Sequence, residues 1–240
     1  MKRKYVFLLK SALYGLLITG ILSACSKSGG DGSDEPEEPV NTDCIVPVHF
    51  KGWGTCSYDA PEGTPLSLPK GLSFVWAEHP RTFDQKDSCA YKDEDDPHRW
   101  DVGSHVTLCV SFKNSTNAPL NLVLPPGLIF VSRDQESQNG ILAMRVAVTV
   151  PANTTVYNQL NMHCINGSKS TSGDSKLNYT LGPVTNVKPA KELIAFLEGK
   201  NIKKAHNSIR AGISIAFSDI DSKGFIREST WDILKQLPNK

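Results

Sequence analysis

Val106-Thr107-Leu108-Cys109-Val110-Ser111-Phe112 alternates apolar and polar side chains, which puts Val106, Leu108, Val110 and Phe112 on one face of an extended chain. Cys109 falls on the opposite face, among the polar positions. Lys113-Asn114-Ser115-Thr116-Asn117 has the composition of a turn, and Leu120-Asn121-Leu122-Val123-Leu124 resumes the alternation. Pro125-Pro126-Gly127 breaks the chain before Leu128-Ile129-Phe130-Val131. Ile141 to Val150, closed by Pro151, and Val156 to Met162 complete a series of short strands separated by Gly, Pro and Asn turns. Such a series predicts two sheets packed face to face.

From Cys44 to about Val187 the pattern is mainly β, and beyond it the character changes. Pro189-Ala190-Lys191-Glu192-Leu193-Ile194-Ala195-Phe196-Leu197-Glu198-Gly199 has proline at a first helical position and glycine just past the end. Ala205, Ile209, Ile213, Ala216 and Phe217 recur at helical spacing, although Ile213, Ile215 and Phe217 also alternate. Ser229-Thr230-Trp231-Asp232 opens a last helix as a capping box, with Ile233, Leu234 and Leu237 as its apolar stripe. The expected fold is therefore α+β: a β-sandwich over 44–187 followed by two or three short helices in 188–240. The segment His105–Cys164 resembles the immunoglobulin-like sandwich modules of exported bacterial proteins in its order of strand, Asn-rich turn, strand and Pro-Gly corner. The Cys…Trp…Cys spacing of antibody domains is not part of it.

The N-terminus carries an address. Lys2, Arg3, Lys4 and Lys10 precede an apolar run from Ser11 to Ala24, and no acid occurs before Asp31. A basic head, a short apolar middle and small exit residues describe a secretory signal. The run is shorter than the ~20 residues needed to span a bilayer as a helix. Leu22-Ser23-Ala24-Cys25 resembles the lipobox of bacterial lipoproteins, which implies lipid transfer to Cys25 and cleavage of residues 1–24 before it. Residues 25–43 lack the hydrophobic content that ordering requires and read as a flexible acidic tether. The run Asp34-Glu35-Pro36-Glu37-Glu38 resembles the export signal of surface lipoproteins of the Bacteroidota, which implies an outer-membrane anchor facing outward.

Charge narrows the partners. The chain has 26 Lys and Arg against 25 Asp and Glu; removing the four basic leader residues leaves 22 against 25, with six of the acids in the tether. A near-neutral folded part argues against a general nucleic-acid surface. Besides Cys25 there are Cys44, Cys56, Cys89, Cys109 and Cys164, all disulfide candidates, and an odd set leaves at least one thiol outside an intramolecular pair.

Motifs for chemistry are weak. Asp219-x-Asp221-x-Lys223-Gly224-x-Ile226 resembles the start of an EF-hand or dockerin calcium loop, but Lys223 and Thr230 stand where that loop needs carboxylates. A glycine turn between two helices is the preferred reading, and no metal or other cofactor is expected. Lys92-Asp93-Glu94-Asp95-Asp96-Pro97 concentrates acids, and His98-Arg99-Trp100 follows. Asp95, Asp96, His98, Arg99 and Trp100, with Trp53 between Gly52 and Gly54, are the chosen recognition residues, because charge beside aromatic rings at a loop suits binding. No nucleophile elbow, metalloprotease motif or phosphate loop is present, so the expectation is a non-enzyme. The expected function is recognition or adhesion, binding glycan or protein from a membrane anchor. The alternatives are an exported carbohydrate-active enzyme and an accessory subunit of a surface assembly.

Overall fold

In the computed structural model the residues described are 48–54, 56–78, 99–103, 105–171 and 178–240, all within one compact unit, Glu37–Lys240. Among the described residues the strands are β1 (Gly63–Pro65), β2 (Leu72–Glu78), β3 (Arg99–Trp100), β4 (Val106–Asn114), β5 (Leu120–Leu124), β6 (Leu128–Ser132), β7 (Gly140–Ile141), β8 (Val146–Val150), β9 (Thr155–Cys164) and β10 (Asn178–Thr185). Three helices follow: α1 (Lys188–Glu198), α2 (Asn207–Lys223) and α3 (Glu228–Leu234), with a 3-10 turn at Ile202–Lys204.

The architecture is a barrel, which corrects the immunoglobulin-like sandwich. Strands β10, β2, β4, β9, β7 and β6 form a ring of antiparallel neighbours, and β10 closes it by pairing with β2 on one edge and β6 on the other. Tyr179 is the junction, opposite both Ala77 and Ser132. Closure requires strong curvature, supplied by register shifts in β10 between Leu181 and Val184 and in β2 between Phe74 and Trp76. The β10 shift falls on Gly182, where a Cβ would lie 2.7 Å from Val131 Cγ2 and 2.9 Å from the Ile129 carbonyl oxygen. Only glycine admits that approach. The alternating face of β4 points into the barrel: Val106, Leu108, Val110 and Phe112 are fully buried with Leu128, Phe130, Leu160 and Met162.

Two pieces of β structure lie outside the ring. Leu120–Leu124 pairs with Val146–Val150 as a separate two-stranded ribbon that lends Leu122, Leu124, Val146 and Val150 to the barrel core. Ile141 to Val150 is thus two strands in different sheets, β7 and β8, divided by a bend at Ala143–Met144. The short strand β3 runs parallel to β9, pairing Arg99 with Gln159 and Trp100 with Leu160.

The helices cover the outside of the barrel. Ile129 of β6 and Ile141 of β7 face outward and pack with Leu193, Leu197, Ile213, Phe217, Ile220 and Leu234 in a second core. Helical spacing decides the ambiguous stretch in α2: Ile213, Ala216 and Phe217 are buried and Ile215 is exposed. Helix α3 begins at Glu228, after Arg227, so the capping box at Ser229 is not used. The Thr230 hydroxyl donates instead to Asp219 Oδ2 at 2.6 Å, a charge-assisted bond that a helix cap does not match.

Candidate functional site

Pleating sends alternate residues of β9 outward, so Tyr157, Gln159, Asn161 and His163 form one row on the outer wall. Ser111, Cys109 and Thr107 of β4 stand beside the first three. On the far side of β4, Trp76 of β2 lies opposite Ser111. The small serine lets the flanking rings lean over it: the Trp76 and Tyr157 centroids are 5.8 Å apart at 46°. Both residues are half-buried. An indole and a phenol in tilted contact, each with a polar tip, make a platform suited to a flat ligand with hydroxyls at its rim.

Below this pair the row closes in. Gln159 Nε2 and Thr107 Oγ1 both donate to Asn161 Oδ1, at 3.0 and 3.2 Å. His163 Nδ1 lies 2.8 Å from Ser214 Oγ of α2, and its ring packs on Phe217 at 5.3 Å. Among the described residues, Asn161 Nδ2 and His163 Nε2 are buried without a hydrogen-bond partner. Burial, with His105 nearby, lowers the His163 pKa to about 3. The contact joins β9 to α2.

The buried carboxylates are occupied by the fold. Asp221, part of the calcium-like string, accepts the Gly54 and Gly167 amides and so pins two loops to α2. Asp219 receives Arg227 Nε at 2.7 Å, the Arg227 amide and Thr230, with Lys223 Nζ at 3.6 Å. The two acids of the string thus serve different partners, and Gly224 at φ 77° ends α2 in a left-handed cap. Asp101, at φ 61°, accepts the Val102 and Ala143 amides and fixes the bend between β7 and β8. Among the described residues no three His, Cys, Asp or Glu side chains converge as a metal site.

The sequence-chosen residues are scattered. Trp100 is buried in the barrel core. Trp53 is 1% exposed, turned into the second core by Gly52 at φ 72° and Gly54 at φ 88°. Neither ring faces solvent. Arg99 enters β3 opposite Gln159, on the edge of β9 away from β4. Asp95, Asp96 and His98 lie outside the described residues, as do Cys25, Cys44 and Cys89. Cys56 and Cys109 are each part of a disulfide. Cys164 is a free thiol that burial pushes up to about 11, which makes it a poor nucleophile at neutral pH. Trp76 stands out in the sequence as one of several tryptophans that could stack on a sugar ring or pack in a core, but its pairing with Tyr157 depends on strand order and has no local signature.

An open groove of about 680 Å³ lies elsewhere, where β1 joins β10, lined mainly by Pro61, Pro65, Pro183 and Leu181 with Glu62 and Asn186. Among the described residues that line it, Glu62 is the one carboxylate. Comparison with protein-family models, curated proteins and solved structures gave no match, so the geometry alone carries the functional argument.

The buried acids set a pH response. Burial raises Asp101 to about 7 and Asp221 to about 6, against 3.8 when solvated. Each therefore holds its proton in the folded chain at a pH where the unfolded chain has lost it. Their contribution to stability is complete below 3.8 and disappears as the pH rises through about 6 and 7. His163 opposes them: its contribution is complete above 6.5 and lost as the pH falls toward about 3. Near pH 5 the two acids oppose His163, and burial lowers His105 in the same direction as His163, so stability should rise on acidification by at most about 1 kcal/mol per pH unit. Urea midpoints between about pH 5.5 and 4.5 test the slope. Asp101→Asn should flatten it, and a midpoint that falls on acidification in the parent chain would contradict the assignment.

Proposed function

We propose that this protein is a lipid-anchored outer-membrane lipoprotein, displayed at the cell surface, whose barrel binds glycan through its outer wall. The observation that carries the reading is the half-buried Trp76–Tyr157 pair, a preformed aromatic platform on rigid strands. Sugar rings offer axial C–H faces that stack on such rings, and the hydroxyl rim meets polar tips. Ligand recognition there needs no acid, base or metal. The lipid on Cys25 holds the barrel at the membrane without a spanning segment, since two or more acyl chains anchor stably. Among the described residues no helix is long and apolar enough to cross a membrane, which is compatible with that anchor.

The test is glycan and host-protein array binding by the chain from residue 44 onward. Glycan binding should appear and fall about tenfold or more in Trp76→Ala, the loss of roughly 1.4 kcal/mol or more expected of one stacking ring. Binding to protein alone would move the reading to the protein-adhesion alternative, and no binding at all would remove it. The anchor is tested separately: Cys25→Ala should abolish palmitate labelling and leave the precursor uncleaved. Persistent labelling would refute it.

A further inference from the structure

The Trp76–Tyr157 pair has a charged neighbour on one side. One step along the outer wall from Trp76, Ser111 and Tyr157, the register sets Ser73 of β2, Lys113 of β4 and Thr155 of β9 side by side. Two residues along a strand span about 7 Å, a distance an extended lysine side chain covers. Ser73 and Lys113 are exposed, and no acid among the described residues pairs with Lys113. Val75 sits at the register shift of β2, between Phe74 and Trp76, and is 47% exposed. The bulge therefore turns an apolar side chain out of the barrel beside the indole. In the opposite direction along the wall, Cys109 and Gln159 are buried, and Glu78 stands opposite Cys109. That position is four residues of β4 away from Lys113, about 13 Å, beyond the screening length of ~8 Å at physiological salt. The charge on Lys113 is thus not cancelled at the rings.

We propose that this wall selects an acidic sugar, a pyranose stacked on Trp76 and Tyr157 with its carboxylate or sulfate held by Lys113. The inference rests on the glycan reading and names the class of sugar. Charge complementarity decides the class: of the outward residues of β2, β4 and β9, Lys113 is the one cation, and it stands one step from the rings. A pyranose ring centred over Ser111 carries its exocyclic anion part of the way toward that position, and the lysine stem covers the rest. Ser73 and Thr155, on either side of Lys113, place hydroxyls where the same end of the sugar has its own. A lysine ammonium is a point charge on a flexible stem, so it accepts carboxylate and sulfate alike. Contact with an ionised group strengthens the hydrogen bond, while exposure and screening limit the gain to roughly three- to tenfold in affinity.

Residues 37–240 form a compact unit, and the buried residues of both hydrophobic cores lie within 53–237, so this fragment serves without its lipid. The probes are matched oligosaccharides, each neutral parent beside the same chain ending in a uronate, a sialic acid or a sulfated sugar. Acidic members should bind about three- to tenfold tighter than their parents at low salt, and the margin should shrink at high salt. A margin for any of the three supports the proposal and identifies the anionic group. Lys113→Gln should bring the acidic members down to their parents with an unchanged melting temperature, because the side chain is exposed. Lys113→Glu should reverse the order, and Trp76→Ala should weaken acidic and neutral members together. Neutral parents that bind as tightly as acidic members, or a margin that survives Lys113→Glu, would overturn the proposal and leave the glycan reading standing. Binding to none of the oligosaccharides would overturn both.

Discussion

Phe217→Ala is expected to destabilise the protein by about 3–5 kcal/mol, the range for emptying a fully buried phenylalanine site. Phe217 has no exposed surface and stands on α2 between Trp53 of the N-terminal loop, 6.4 Å away, and His163 of β9, 5.3 Å away. Both neighbours are rigid rings, and a rigid lining collapses poorly into a vacated space. The same substitution releases three pieces at once: helix, loop and barrel wall. Urea unfolding followed by circular dichroism measures the loss. Phe217→Leu should cost less than half as much, since most of the volume stays filled. A loss below about 1 kcal/mol for the alanine variant would show that the helices do not share a continuous core with the barrel.

Asn114 is the second large effect, near 3 kcal/mol on truncation to alanine. Its side chain is fully buried at the end of β4. Nδ2 donates to the carbonyls of Ala118, Val150 and Pro151 at 2.8, 3.0 and 3.1 Å, while Oδ1 accepts from the Thr116 amide and hydroxyl at 2.9 and 2.8 Å. One amide thus holds the turn after β4 against the end of β8. Asn114→Asp is nearly isosteric and should be at least as damaging, because it points a carboxylate at three carbonyl oxygens. If the aspartate variant keeps parental stability while alanine does not, side-chain volume and not hydrogen bonding is what the site needs.

The particular residues explain how much could be read in advance. Asn114 was legible as turn chemistry, since Lys113–Asn117 has that composition; its role as a buried hub was not, because two of its partners, Val150 and Pro151, are distant in the chain. Trp53 between two glycines stood out as a candidate contact, yet the freedom those glycines give is used to turn the ring inward. Asp219 and Asp221 share a calcium-like string, but in a helix residues two apart point roughly 200° apart. They reach different partners accordingly, one α3 and the other two loops. The aromatic platform needed three strands in register, and no local pattern places Trp76 beside Tyr157.

The sequence by itself determined what depends on near neighbours: the inward face of β4, the helices carrying Pro189 and Gly224 at their ends, and the resemblance of Leu22-Ser23-Ala24-Cys25 to a lipobox. The tertiary structure alone decided that the strands close into a barrel. The alternation of apolar residues is the same in a sandwich and in a barrel, since both bury one face of each strand. What separates them is whether the first and last strands meet. Here β10, with a Gly-Pro pair that reads as a break, bends at that pair and bridges β2 and β6. Closure is a contact between residues a hundred positions apart, and periodicity along the chain carries no record of it.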